Sequence, residues 1–220
     1  MADGYSYVAF LDVLGYRALV QADRERGTLD FKNKLTKALS ALDDINEDDV
    51  RTVAISDTII LSSSNPKGLP IVMDACVKLF ISFLDMGLLL RGGIAYSQHF
   101  QSKAVTYSHA LTIAYKLESE GAIWPRILVA GEAIEASVAN GVGIAGTDSV
   151  TTWHDAHLVD VAAAGRWEKI FSCVKKMYKE NRAGMREEVL AKYLLLENFL
   201  LSHPDRKKGA RRFTSIPVKY

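Results

Sequence analysis

Two stretches decide how this chain is read: YSYVAFLDVLGY at residues 5–16 and TVAISDTIILSSS at residues 52–64. The first is a nearly unbroken apolar run of strand-forming residues that ends on Asp12, and Gly15 just beyond it permits a tight turn into a helix. The second is rich in Val, Ile and Thr, and Ser56-Asp57 at its middle is suited to a reversal between two strands, with Asp57 at the tip of the hairpin. A carboxylate at the end of a buried strand is costly to desolvate unless a partner offsets the cost, so two of them, Asp12 and Asp57, suggest a shared divalent cation. On spacing alone, two capping aspartates without a metal remain an equal alternative.

Working outward, apolar residues Phe31, Leu35, Ala38, Leu39, Leu42 and Ile45 recur at helical spacing and predict a helix over 30–45. Asn65-Pro66 and Gly68 mark a loop, after which 71–88 carries an apolar helix ended with the help of Gly87. A strand over 88–96 containing Arg91-Gly92-Gly93, a helix over 104–120 and a strand over 126–130 complete a β-α-β-β-α-β-α-β outline. That order implies an α+β, ferredoxin-like or palm-type layer, a mostly antiparallel sheet covered by helices. Residues 131–140 read as helical, 141–146 as a glycine-rich loop, 157–161 as a short strand and 166–202 as two helices. The expected organisation is a body over 1–162, C-terminal helices over 163–205 packed on the body or on a dimer mate, and a basic tail over 206–220.

The chain has 220 residues, 49% apolar and 24% charged, which suits one soluble globular domain. Its most apolar stretch, 76–90, is interrupted by Lys78 and Asp85 and is too short to span a membrane, and the N-terminus lacks the pattern of a signal peptide. The expectation is a cytoplasmic protein. Cys76 and Cys173 offer neither a disulfide framework nor a cysteine metal site, and His99, His109, His154, His157 and His203 lack metal-ligand spacing. The net charge of +1 hides a basic end. Six of the 27 bases lie after residue 205, leaving 21 against 26 acids elsewhere. An acidic body argues against nucleic acid as the main partner, and the tail reads as a solvated end.

FLDVLGY (10–16), ISDTIILSS (55–63), LLRGGIAYS (89–97) and YSHALTIAYKLE (107–118), in this order, resemble the class III nucleotidyl cyclases, and most closely the Pycsar pyrimidine cyclases of bacterial antiphage defence. A looser echo continues in HLVDVA and AKYLLLENFL. The resemblance implies a cyclase-type palm and a head-to-tail homodimer with sites at the interface. It implies conversion of UTP, or less favourably CTP, to a 3′,5′-cyclic mononucleotide and pyrophosphate. A separate effector would respond to the product, and no membrane or stable nucleic acid partner is expected. Purine cyclases and a catalytically inactive nucleotide-binding module are the alternatives.

By the same resemblance, Asp12 and Asp57 match the two metal aspartates, with the Val13 carbonyl as a further ligand and Mn²⁺ or Mg²⁺ as the ions, two per site. Independently of the resemblance, the peptide N–H groups of Val13, Leu14, Gly15 and Tyr16 directly follow Asp12 at a helix start, a ready cradle for a triphosphate. The Asn and Arg of the purine cyclases fall at Thr112 and Lys116, so Lys116 can bring charge without guanidinium geometry, and Lys103, Tyr107 and Tyr115 are further candidates. Their base-reading lysine falls at Val53. Arg51, two residues earlier on the same strand face, is the proposed arm to a pyrimidine carbonyl. Each site would then draw Asp12, Asp57 and Arg51 from one subunit and the 103–116 segment from the other. A structural role is expected for Arg91.

Overall fold

Because both faces of its first strand are apolar, the chain can place that strand in the middle of a sheet. The computed structural model describes residues 4–102, 104–143 and 149–214. In it β1 (Tyr5–Val13) lies between β3 (Thr58–Ser63) and β4 (Leu90–Gln101), antiparallel to both. β2 (Arg51–Ile55) forms one edge beside β3, and the order runs β2-β3-β1-β4-β6-β8-β7. β6 (Ile127–Val129) is parallel to β4, while β8 (Ala156–Val159) and β7 (Val150–Trp153) form an antiparallel hairpin at the other edge. A short β5 (Thr106–Ser108) folds back on the far end of β4.

α1 (Tyr16–Arg26) and α2 (Asp30–Leu39) connect β1 to β2, and α3 (Leu69–Asp85) connects β3 to β4. Tyr7, Ala9, Leu11 and Val13 point from β1 into the main core, whose helical wall is the apolar face of α3, including Val72, Cys76, Leu79 and Phe83. The opposite face of β1 carries Val8, Phe10 and Asp12 and receives α4 (His109–Lys116), with the rings of Phe10 and Tyr115 edge to face at 5.3 Å. Gly93 pairs with Phe10 in register, and a Cβ there would collide with the Ala114 carbonyl and the Leu117 side chain. The absence of a side chain is what lets α4 sit directly on the sheet.

The α+β palm expected from the sequence is the fold observed, with several boundaries moved. The helix predicted over 104–120 is instead β5 followed by α4, because the Thr106-Tyr107 pair favours strand and the Ser108 hydroxyl caps the new helix by accepting from Leu111 N–H at 2.8 Å. α4 then loosens into a π-helical turn, Leu117–Gly121. The 30–45 helix ends at Leu39 and continues as a 3₁₀ turn, Ser40–Leu42. β4 runs five residues beyond its expected end at 96. β7 was not expected, since its hairpin turns through His154 and Asp155 at φ 49° and 60° rather than through the usual Asn-Gly.

α5 (Gly131–Ala139) precedes the β7–β8 hairpin, and α6 (Trp167–Asn181) and α7 (Glu187–Ser202) follow it. The last two join the same hydrophobic core, pinned by the Trp167 indole N–H donating to the Leu200 carbonyl at 2.6 Å. The tail, read as a solvated end, is docked as far as it is described. Arg212 pairs with Glu197, and the Phe213 ring meets Phe171 at 5.3 Å. Its last six residues, 215–220, lie outside the described residues, as do residues 144–146 of the glycine-rich loop and the two that follow. No helix among the described residues is long and apolar enough to cross a membrane.

Candidate active site

Strand register brings the site together. Asp12 stands directly opposite Arg91 across the β1–β4 ladder, and the Arg91 Nε donates to Asp12 Oδ2 at 3.1 Å. The same guanidinium reaches the Ala122 carbonyl through Nη1 at 3.4 Å and lies 2.6 Å from Glu118 Oε1 through Nη2. That last contact is Coulombic, since the N–H is not aimed at Oε1 well enough for a hydrogen bond. Glu118 is 2% exposed and is held on the π-helical turn. Burial pushes its carboxyl pKa up, Arg91 opposes this, and the nearby charges of Asp12 and Asp57 push it up further. The charges of both aspartates therefore reach Glu118, which Arg91 joins to Asp12.

Asp57 enters from the β2–β3 turn, where Ser56 adopts a left-handed φ of 56°. Its carbonyl accepts the Val13 N–H at 3.0 Å, which stitches the turn to the end of β1. The half-buried Asp57 carboxylate has no hydrogen-bond or ion-pair partner among the described residues. No three acidic, histidine or cysteine side chains among them converge tightly enough to hold a metal unaided. This donor set fits Mg²⁺ or Mn²⁺, which are commonly held by one or two carboxylates, with water and substrate phosphate completing the shell. Asp12 keeps Oδ1 clear of Arg91, and Asp57 keeps both oxygens.

The other candidates from the sequence are placed unevenly. Gly15 takes the left-handed turn expected of it, at φ 83°. The Leu14 N–H, expected to cradle phosphate, is instead committed to the Leu89 carbonyl at 2.9 Å, just as that of Val13 is to Asp57. Gly15 and Tyr16 remain from that set, with the Tyr16 ring packed edge-on against Phe31 at 5.4 Å. Exposed Arg17, not anticipated, follows in the first turn of α1.

Arg51 is not brought to the carboxylates of its own chain. It begins β2, four residues before Ile55, which pairs with Thr58 at the level of Asp12, so about 13 Å of strand separates the two levels. Arg51 lines a separate polar cavity of about 280 Å³ with Glu47, Asp48, Ser62 and His99. Arg51 and the two aspartates, expected to form one subunit's share of a site, are therefore not in contact within the chain. Lys103 lies outside the described residues. Tyr107 sits on β5 rather than a helix, exposed and hydrogen-bonded with His109 Nε2 at 3.1 Å. Lys116 is exposed and faces Glu120 at 4.0 Å, and the Thr112 hydroxyl donates back to the Ser108 carbonyl at 3.1 Å. Sequence reasoning passed over Glu118, although it closes the YSHALTIAYKLE motif as an acid following a largely apolar helix.

No protein-family model matches the chain, and no curated protein does. Solved structures do. An adenylate cyclase from Trypanosoma brucei, solved in its monomeric state, is similar with a TM-score of 0.50 at 10% identity, over 74% of this chain and 90% of that one. The guanylyl cyclase Cya2 overlaps with a TM-score of 0.46 at 12% identity, over 73% of this chain and 93% of that one. The adenylyl cyclase CyaB from P. aeruginosa does so at 0.42 and 13%, over 70% and 91%. At such identities the likeness speaks for the fold, which is that of the class III cyclase domains.

Proposed function

We propose that this chain is a metal-dependent nucleotide cyclase whose substrate is a pyrimidine nucleoside triphosphate, UTP ahead of CTP, and whose product serves as a second messenger in antiphage defence. The observation that carries the cyclase reading is the Asp57 carboxylate, half-buried and unpaired beside Asp12 and Glu118, on a cyclase fold. When bound, a divalent cation would neutralise phosphate charge and acidify the ribose 3′-hydroxyl. Asp12, Asp57 and the Val13 carbonyl would hold it. Arg91 fixes the Asp12 carboxylate through one oxygen and leaves the other free for the ion. In the reaction the 3′-oxygen bonds to the α-phosphorus, its proton leaves to solvent, and the bond from the α-phosphorus to the bridging oxygen breaks to release pyrophosphate.

A homodimer with shared sites accounts for two features of the single chain. Phe100, Tyr107, Ile113 and Tyr115 are exposed on β4, β5 and α4, forming apolar surface that a partner would cover. Arg51, remote from Asp12 in its own chain, would reach the base bound by the partner's carboxylates. The pyrimidine preference rests on Arg51, two residues before the Val53 position at which the purine cyclases carry their base-reading lysine, as a longer arm to a smaller base.

The competing reading is a nucleotide-binding module without turnover. Lys116 and Thr112 favour it, because both are engaged locally and neither replaces the Asn–Arg pair of the purine cyclases. Incubating the purified chain with ATP, GTP, CTP or UTP and Mn²⁺, then resolving products by mass spectrometry, separates these. A cyclic pyrimidine monophosphate from UTP or CTP is expected. A cyclic purine nucleotide would overturn the substrate assignment, and Mn²⁺-dependent nucleotide binding without product would favour the inactive module.

A further inference from the structure

We propose that Lys192, carried on α7 of the C-terminal extension, binds the substrate's triphosphate at the Asp12–Asp57 site of its own chain; this rests on the nucleotide reading above. The packing of α7 sets its position. Lys192, Leu195 and Phe199 fall at i, i+3 and i+7, one stripe of the helix. Phe199 lies 5.6 Å from the Trp124 ring, and Leu195 lines a groove with Ile123 and Trp124. The residue before that pair, Ala122, is the one whose carbonyl receives Arg91. Lys192 stands a further turn back along that stripe, within range of the charges of Arg91 and Asp12.

Lys192 is half-buried, yet among the described residues no hydrogen bond or ion pair reaches its ammonium. Burial and the like charges of Arg91 and Arg186 disfavour the ammonium form, with Asp12 and Glu188 opposing them. A half-buried cation without a partner at the rim of an acidic site is arranged for an anion that arrives from outside. Arg91 cannot take that part, because its guanidinium is already divided among Asp12, Glu118 and the Ala122 carbonyl. Lys116 is turned to Glu120 on the surface. Lysine binds phosphate as a compact point charge and needs no bidentate alignment, so a single residue on a docked helix suffices. The extension thereby supplies, from α7, positive charge that α4 does not deliver within the same chain.

The test uses the full chain as wild type, Lys192→Met and Lys192→Arg. UTP binding with Mg²⁺ is measured by titration calorimetry, KM and kcat by product formation, and Tm without nucleotide. The expected result is a Kd and KM for UTP raised about ten- to a hundredfold in Lys192→Met, as for loss of a charged hydrogen bond. Tm without nucleotide should not fall, and Lys192→Arg should recover most of the affinity. Wild-type affinity in Lys192→Met would overturn the assignment while leaving the cyclase reading standing. A lowered Tm with unchanged KM would overturn it in favour of a packing role. A wild-type protein that binds no nucleoside triphosphate would remove the cyclase reading and this assignment together.

Discussion

Glu197 and Asp57 are two carboxylates withdrawn from solvent in the same molecule, and the fold treats them in opposite ways. Glu197 on α7 is fully buried, and it accepts from the backbone N–H groups of Phe213 and Thr214, from the Thr214 hydroxyl and from Arg212. Every lone pair it presents has a use, and the use is to strap the chain's end onto α6 and α7. Asp57 is half-buried among like charges and receives nothing from the described residues. A buried acid that the protein satisfies is part of the structure, whereas one left unsatisfied beside other acids is a site. On the function proposed above, the contrast would explain how one chain can hold several acids withdrawn from solvent and keep the pair at the end of β1 and the β2–β3 turn for a ligand.

The sharpest way to break the contrast is to neutralise Asp57. Asp57→Asn should lower cyclase turnover by at least about a thousandfold, since the metal's charge stabilisation is worth several kcal/mol. It should leave Tm unchanged or raise it, because asparagine no longer repels Asp12 and Glu118. Product assays beside thermal melts check both halves, and a large loss of Tm would mean that Asp57 holds the fold after all. Glu197→Ala should do the reverse. It removes the acceptor for two backbone N–H groups and for Arg212, so a loss of about 3 kcal/mol in denaturant unfolding is expected. At permissive temperature the protein should still bind Mn²⁺.

A smaller effect concerns His99, whose Nε2 is buried without a partner at the end of the sheet away from Asp12. Burial lowers its pKa, the Gln101 side chain opposes this and the Arg51 charge adds to it, and the net effect is that the folded state disfavours the protonated ring. Stability should therefore be retained above the unfolded histidine value of about 6.5 and decline as pH falls through it. Denaturant melts between pH 8 and 5 should show that slope, and His99→Gln should flatten it.

The sequence was legible where local rules agreed with the final structure. The apolar run to Asp12, the Ser56-Asp57 reversal and the Gly15 turn all depend on neighbouring residues, and each appears where strand pattern and turn chemistry put it. The 104–120 segment misled because its helix-compatible residues concealed the capping by Ser108 and the pairing of Thr106–Ser108 with β4. The Leu14 amide was misassigned because its acceptor, Leu89, lies 75 positions away across the sheet. Glu118 and Lys192 were invisible for a related reason. Register places Arg91 between Asp12 and Glu118, and only the docking of α7 brings Lys192 near them. Local chemistry can be read along a chain, but an acid's lack of a partner emerges only once every possible partner has been placed.

The most direct test of the central claim is Mn²⁺ uptake with UTP present, followed by the loss of the free-ion electron paramagnetic resonance signal, in the wild type and in Asp12→Asn, Asp57→Asn and Glu197→Gln. The wild type and Glu197→Gln should take up the ion, while the two aspartate variants should leave it in solution. Equal uptake by Asp57→Asn and the wild type would contradict the assignment of the unpaired carboxylate as a metal ligand.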